Sequence, residues 1–71
     1  MFPTRLKELR IQYKYTQRHV ADALGISERA YQHYELNTRK PDFDGLTAIA
    51  DFFNVSIDYL VGRTDNPNIN H

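Results

Sequence analysis

Ser27, Glu28, Arg29, Gln32 and His33 bring five different hydrogen-bonding groups into seven consecutive residues. If this stretch is helical with Tyr31 and Tyr34 turned inward, positions 28, 29, 32 and 33 share the outward face. Ser27 then stands at its leading tip. The chemistry of such a face is that of reading base-pair edges. A guanidinium matches the O6/N7 edge of guanine, an amide can reach adenine, and a carboxylate accepts from the amino group of cytosine. The His33 imidazole donates or accepts according to its protonation. One good bidentate contact of this kind discriminates between bases by roughly 1–3 kcal/mol. Gln32 lies towards the flank of the face. A carboxylate near phosphates needs a donor, so Glu28 is expected to pair with Arg29 or Gln17 in preference to reading a base.

Two short helices joined at a glycine must hold that face. Thr16 can cap a helix from about Gln17 to Leu24 that buries Val20, Ala21 and Leu24. Ala21 lies where the two helix axes approach, where a larger side chain would hold them apart. Gly25 follows the last apolar residue, where the chain needs a positive φ. Ile26 then plugs the corner, and Ser27 caps a helix from Glu28 to about Leu36. Asn37 is the next-best left-handed stop after glycine.

The remaining pattern adds three more helices and no convincing strand. Thr4 is expected to cap the first, with Leu6, Leu9 and Tyr13 along one apolar stripe. Asp42 caps the fourth, whose inward set is Leu46, Ile49, Ala50 and Phe53, with Gly45 tolerated early in it and Asn54 closing it. Val55 plugs the next corner. Ser56 caps a short fifth helix with Ile57 and Leu60 inward, Asp58 near its positive end, and Gly62 as its stop. Residues 1–62 therefore read as one all-α domain, and the polar residues 63–71 as a mobile tail.

Composition narrows the function. The 71 residues contain no cysteine, which excludes a disulfide framework and a cysteine-based zinc site. His19, His33 and His71 lack a metal-like spacing, and no cofactor is implied. No basic patch precedes an apolar run, and no apolar stretch approaches the roughly 18 residues of a membrane span. The expectation is a cytoplasmic protein with no membrane contact and no small-molecule effector. There is no phosphate-cradling glycine loop and no Ser-His-Asp grouping of suitable spacing, so an enzyme finds no support. The net charge is zero, but its distribution is not even. Residues 1–40 carry eight basic and four acidic side chains, and residues 41–71 one basic and five acidic. The chain is a dipole whose basic end holds the candidate reading helix.

From Arg5 to Gly62 the sequence resembles the Xre/Cro, lambda-repressor-like family of bacterial and phage DNA-binding domains. The resemblance is carried by Arg5-Leu6-Lys7-Glu8-Leu9-Arg10, Thr16-Gln17, Ala21, Gly25-Ile26-Ser27, Tyr34-Glu35, Arg39-Lys40-Pro41 and Ile57-Asp58-Tyr59-Leu60-Val61-Gly62. It implies a compact five-helix domain containing a helix-turn-helix, binding as a dimer to a palindromic operator. It also implies that Gln17 sits on the phosphate backbone, where exposed N–H groups and the positive end of a helix favour an anion. Gln17 could in addition bond the side chain at position 28. Arg39 and Lys40 match the family's basic loop and would hold phosphates without reading sequence, with Thr38 adding a neutral bond and Arg18 joining the same set. Arg10 and Glu35 stand where the family has an ion pair that braces the recognition helix.

Three departures from the family pattern bear on geometry. Lys14 stands where many members have Gly or Asn, which implies strain of order 1 kcal/mol in that turn. Tyr31 replaces an aliphatic plug, so its hydroxyl needs a partner. Asn37 replaces glycine.

Half-sites one turn apart would require two recognition helices about 34–36 Å apart, hence a homodimer. Phe52, Ile57, Tyr59 and Val61 are the apolar candidates for a two-fold patch. The tail resembles the start of a linker, and the sequence is read as holding no effector or sensor domain. Two functions compete: a regulator, most simply a repressor, of double-stranded DNA, and a protein-interaction module, such as an antitoxin or regulator partner, on the same scaffold. Conversion to the second should erode the basic face, yet Gln17, Arg29, Arg39 and Lys40 are all present.

Overall fold

Left-handed residues punctuate the chain at Lys14, Gly25, Asn37, Asn54 and Gly62, and each ends a helix. The computed structural model describes residues 2–68. Among them run α1 (Phe2–Gln12), α2 (Gln17–Leu24), α3 (Glu28–Glu35), α4 (Phe43–Phe53) and α5 (Ile57–Leu60), with no strand. At every stop the left-handed residue returns its N–H to the carbonyl three back, and the next residue to the carbonyl five back. This pair of bonds satisfies carbonyls that a helix end would otherwise orphan. After α1, α2 and α4 the following residue is Tyr15, Ile26 or Val55, and each packs into or against the core. The same device that stops a helix thus plugs the corner. Lys14, at φ 60°, takes this position without glycine's freedom.

The starts are equally regular. Thr16, Ser27, Asp42 and Ser56 accept from the N–H groups of His19, Ala30, Gly45 and Tyr59 at 3.0, 3.0, 2.8 and 3.0 Å. Each such cap contributes on the order of 1 kcal/mol. Thr4 does not have this role: α1 begins at Phe2, with Pro3 in the first turn, where its missing N–H is no loss. Gly45 is more than tolerated. A Cβ there would stand 2.9 Å from Pro41 Cβ, so the approach of Pro41 to α4 requires glycine.

Leu6 and Leu9 of α1, Val20 and Ala21 of α2, Tyr31 of α3, Ile49, Ala50 and Phe53 of α4, then Val55 and Leu60, form the core. The tightest pairing is α2 on α3, and Ala21 is fully buried there, as its size demands. Leu24, Tyr34, Leu46 and Ile57 pack against this core but stay half-buried. Tyr13 departs from the expected stripe. The chain has left α1 by then, and its largely exposed ring stacks on Tyr15 at 5.6 Å and leans on Phe53 at 5.7 Å.

The chain does not leave the body at Gly62. Arg5, buried in α1, donates to the backbone carbonyls of Tyr59 at 3.0 Å and Thr64 at 2.8 Å. Its guanidinium lies 4.1 Å over the Tyr59 ring and meets Asp65 at 2.6 Å. Ser56 N–H donates to Pro67 C=O at 3.1 Å. The expected tail is therefore fastened to α1 and α5 as far as Pro67; residues 69–71, with His71, lie outside the described residues.

Candidate nucleic-acid interface

α3 presents its polar face because the opposite face is fixed. Tyr31 is fully buried, so positions 28, 29, 32 and 33 turn away from the core. Ser27, Glu28 and Arg29 are exposed, while Gln32 and His33 are half-buried. Glu28, Arg29, Gln32 and His33 line one shallow depression together with Leu36. Leu36 had no place in the sequence-based set. Its spacing of seven from Arg29 was the available signal, and it is 69 % exposed on this stripe.

Beneath the face lies a polar cluster centred on Glu35. Arg10 grips the carboxylate with two bonds, Nε to Oε2 at 2.7 Å and Nη2 to Oε1 at 3.2 Å. The two side chains are 15 % and 5 % exposed. The third Arg10 nitrogen donates to the Tyr15 carbonyl at 3.1 Å, which ties the pair to the α1–α2 turn. The Tyr31 hydroxyl donates to Glu35 Oε2, and Gln17 Nε2 to Oε1 at 3.2 Å. Tyr31, the unusual aromatic plug, thus finds the partner its hydroxyl needs. Burial by itself pushes Glu35 up. The bonds from Arg10, Tyr31 and Gln17 outweigh it and hold the carboxyl below the usual range. Burial and then the Glu35 carboxylate push Tyr31 up, and the bond to Glu35 raises Arg10 against the opposing effect of burial. The three groups are held as a cation, an anion and a neutral hydroxyl.

Gln17 is committed differently from the expectation that it might steer position 28. Its amide lies between Glu35 and Gln32, accepting from Gln32 Nε2 at 3.2 Å. Among the described residues Glu28 has no ion pair, with Arg29 or otherwise. Thr38 was expected on phosphates. Its exposed Oγ1 lies 2.7 Å from His33 Nδ1 and donates to the His33 carbonyl at 3.3 Å. With that O–H given to the carbonyl, Thr38 accepts from Nδ1–H.

Arg39 and Lys40 are exposed on the loop between α3 and α4. Arg18 reaches Asp22 only at 4.0 Å, and both side chains are solvated, so this contact competes weakly with another anion. The proposed dimer residues Phe52, Ile57, Tyr59 and Val61 are all half-buried. Three of them have partners inside the chain: Phe52 stands edge-on to Phe53 at 4.9 Å, Tyr59 lies beneath Arg5, and Ile57 packs against the core. Among the described residues the large apolar side chains most open to solvent are Phe43 and Leu36, 71 % and 69 % exposed. They flank the basic loop.

No group of three or more potential metal ligands exists among the described residues, and no helix is long and apolar enough to cross a membrane.

A helix-turn-helix family model matches residues 6–60. The chain belongs to this family. It is 44 % identical over 69 residues to the uncharacterized HTH-type transcriptional regulator YqaE of Bacillus subtilis, covering 97 % of this chain and 60 % of that one. It is 41 % identical over 59 residues to the cryptic phage CTXphi transcriptional repressor RstR of Vibrio cholerae, covering 83 % of this chain and 53 % of that one. A crystal structure of a transcriptional regulator from Listeria innocua superposes with a TM-score of 0.83 at 31 % identity, over 87 % of this chain and 58 % of that one. The chain therefore spans little more than half the length of these relatives. As a helix-turn-helix, α2 and α3 are its paired helices, Gly25 its turn, and the Glu35 cluster the bracket between them.

Proposed function

We propose that this domain binds double-stranded DNA in a sequence-specific manner as a transcriptional regulator, most simply a repressor. It sits as a homodimer on a palindromic operator with α3 in the major groove. The observation that carries the reading is the exposed stripe on α3 over a buried bracket. Base-reading groups occupy one face, and Tyr31 and Glu35 lock the other, so the face enters a groove already oriented. Ser27, Glu28, Arg29, Gln32 and His33 read bases. The N-terminal end of α2 with Gln17, together with Arg18, Arg39 and Lys40, holds phosphates and fixes the register. Thr38 can turn its O–H from the His33 carbonyl to a phosphate while still accepting from His33 Nδ1–H, so it joins the phosphate set and orients that ring. Repression then follows from occupancy, since a dimer seated over a promoter excludes polymerase. On this reading the protein works in the cytoplasm, on bacterial or phage DNA, with no cofactor. The second protomer packs through the α4–α5 side, with Phe52, Ile57, Tyr59 and Val61 as the candidate patch.

Selection of bound sequences from random duplex DNA, repeated at two salt concentrations, tests this. A palindromic consensus with steep salt dependence is expected, and each of Arg39→Ala and Lys40→Ala should flatten the log–log salt slope by about 1.8, since each protomer of the dimer loses one contact of about 0.9. Absence of any enriched sequence, with Arg29→Ala leaving residual binding unchanged, would favour the partner-module function.

A further inference from the structure

Leu36 breaks the chemistry of its stripe. Glu28, Arg29, Gln32 and His33 all offer polar groups, yet the residue that completes their depression is aliphatic and 69 % exposed. Leu36 is no part of the core. Its place is nevertheless fixed from both sides. Its N–H donates to Gln32 C=O at 2.9 Å, which closes the last turn of α3. Glu35 before it is held by Arg10, Tyr31 and Gln17. After it, Asn37 turns left-handed and Thr38 N–H returns to His33 C=O at 3.0 Å. An apolar side chain is thus held out in water at the far end of a polar reading face.

We infer that Leu36 reads the 5-methyl group of a pyrimidine in the major groove, so that α3 selects thymine at the base pair facing its C-terminal end. The inference rests on the DNA-reading function proposed above. Among the groups that distinguish base pairs in the major groove, the thymine 5-methyl alone is apolar; the rest are donors or acceptors. Pressed on a donor or an acceptor, Leu36 would strip it of water and return no bond, which is unfavourable. Pressed on a methyl group, it removes apolar surface from water on both sides. The polar members of the stripe meet the donors and acceptors of neighbouring pairs, and Leu36 supplies the contact they cannot make. Cytosine methylated at C5 carries the same group in the same place. The contact therefore extends to it, and methylation of a cytosine at that pair strengthens binding.

The test uses the full chain and the duplex operator found by selection. In one half-site each thymine is replaced in turn by uracil and each cytosine by 5-methylcytosine. This covers every base pair, because each contains one pyrimidine. At one pair uracil is expected to weaken binding about fourfold, the effect of one methyl group left in water. Cytosine placed there should weaken binding further, and 5-methylcytosine should restore about fourfold. Leu36→Ala should make thymine and uracil equivalent at that pair, and cytosine and 5-methylcytosine likewise. Its thermal midpoint should stay nearly unchanged, since the side chain is largely in solvent. Leu36→Met, which keeps an apolar side chain of similar reach, should retain the thymine preference. The contact is refuted if no pair responds to the methyl group, or if the response survives Leu36→Ala. A loss of affinity in Leu36→Ala that is equal at every pair, or a changed association state, would make Leu36 a protein–protein contact and overturn the inference. If the unmodified protein enriches no sequence at all, the DNA-reading function itself fails, and this contact with it.

Discussion

Arg5 and Arg10 stand on the same helix, and each ties α1 to a distant part of the chain, but their surroundings differ sharply. Arg10 meets Glu35 with both side chains withdrawn from water, at 15 % and 5 % exposure. Arg5 is as buried, at 10 %, yet its acidic partner Asp65 is 98 % exposed. In the first region the anion is a necessary part of the fold, because neither charge has water to fall back on. In the second, the guanidinium is satisfied by two backbone carbonyls and an aromatic face, and the carboxylate only adds to them. One arginine braces the reading helix; the other closes the domain around its C-terminal segment. The difference teaches that an ion pair's distance says little about its weight: the shorter contact, 2.6 Å to Asp65, belongs to the weaker pair.

Breaking the buried pair should have the largest effect. Arg10→Met leaves the Glu35 carboxylate with only Tyr31 and Gln17 as donors, and a loss of about 3–5 kcal/mol is expected in urea denaturation. For a domain of this size that is much of the total stability. Acid sharpens the same point. Glu35 is held below its ordinary range, near 4.3 in an unfolded chain. Its contribution is therefore fully present above that value and is lost as pH falls through the lower folded one. In Arg10→Met the opposing effect of burial prevails, and a protonated Glu35 no longer needs a cation. The stability gap between the two proteins should therefore begin to narrow above about 4.3, where Glu35 of the variant takes up its proton, and go on narrowing as pH falls through the lower value of the parent. A gap that stays constant would mean that Arg10 acts through packing rather than charge.

Arg5→Met comes next, because it removes two charge-assisted bonds and the stacking on Tyr59 while keeping most of the apolar stem. A loss of about 2–3 kcal/mol is expected, from hydrogen bonds made by a charged donor. Backbone hydrogen exchange locates it: protection should fall first at Ser56 and Arg63, whose N–H groups donate to Pro67 and Asp58 near the clasp. If the loss is instead spread evenly over α2 and α3, the clasp is not a local closure.

The two regions also differed in how far the sequence disclosed them. Helix starts at Thr16, Ser27, Asp42 and Ser56 were legible because a capping side chain acts on a backbone N–H three residues away, a purely local effect. Stops at Gly25, Asn37, Asn54 and Gly62 were legible for the same reason, and Lys14 only through the family pattern. Arg10–Glu35 came from the family resemblance too, since nothing local joins residues 25 apart. Arg5 was counted simply as a basic side chain, because its partners are backbone carbonyls, and every residue has one. Likewise, Gln17 was read as a phosphate contact that could bond position 28. Its bond to Gln32 depends on how α2 crosses α3, which residue types alone do not encode. Thr38 and His33 are only five apart, but their contact needs the left-handed turn at Asn37 to fold the chain back. Tyr13 failed for the converse reason. Periodicity extended the α1 stripe one turn beyond the point at which Lys14 had already redirected the chain.

The smallest expected effect lies in the most conspicuous contact. Asp65→Ala removes an ion pair, yet Asp65 stands in solvent and loses little hydration on pairing. Arg5 would keep Tyr59 C=O, Thr64 C=O and the Tyr59 ring. No measurable change in the thermal midpoint is expected, and raising the salt concentration should leave the variant and the parent equally stable. A clear loss in Asp65→Ala that disappears at high salt would show that Asp65 orders the segment carrying Thr64. The carbonyl bonds would then be a consequence of the ion pair, and the contrast between the two arginines would reduce to one of degree.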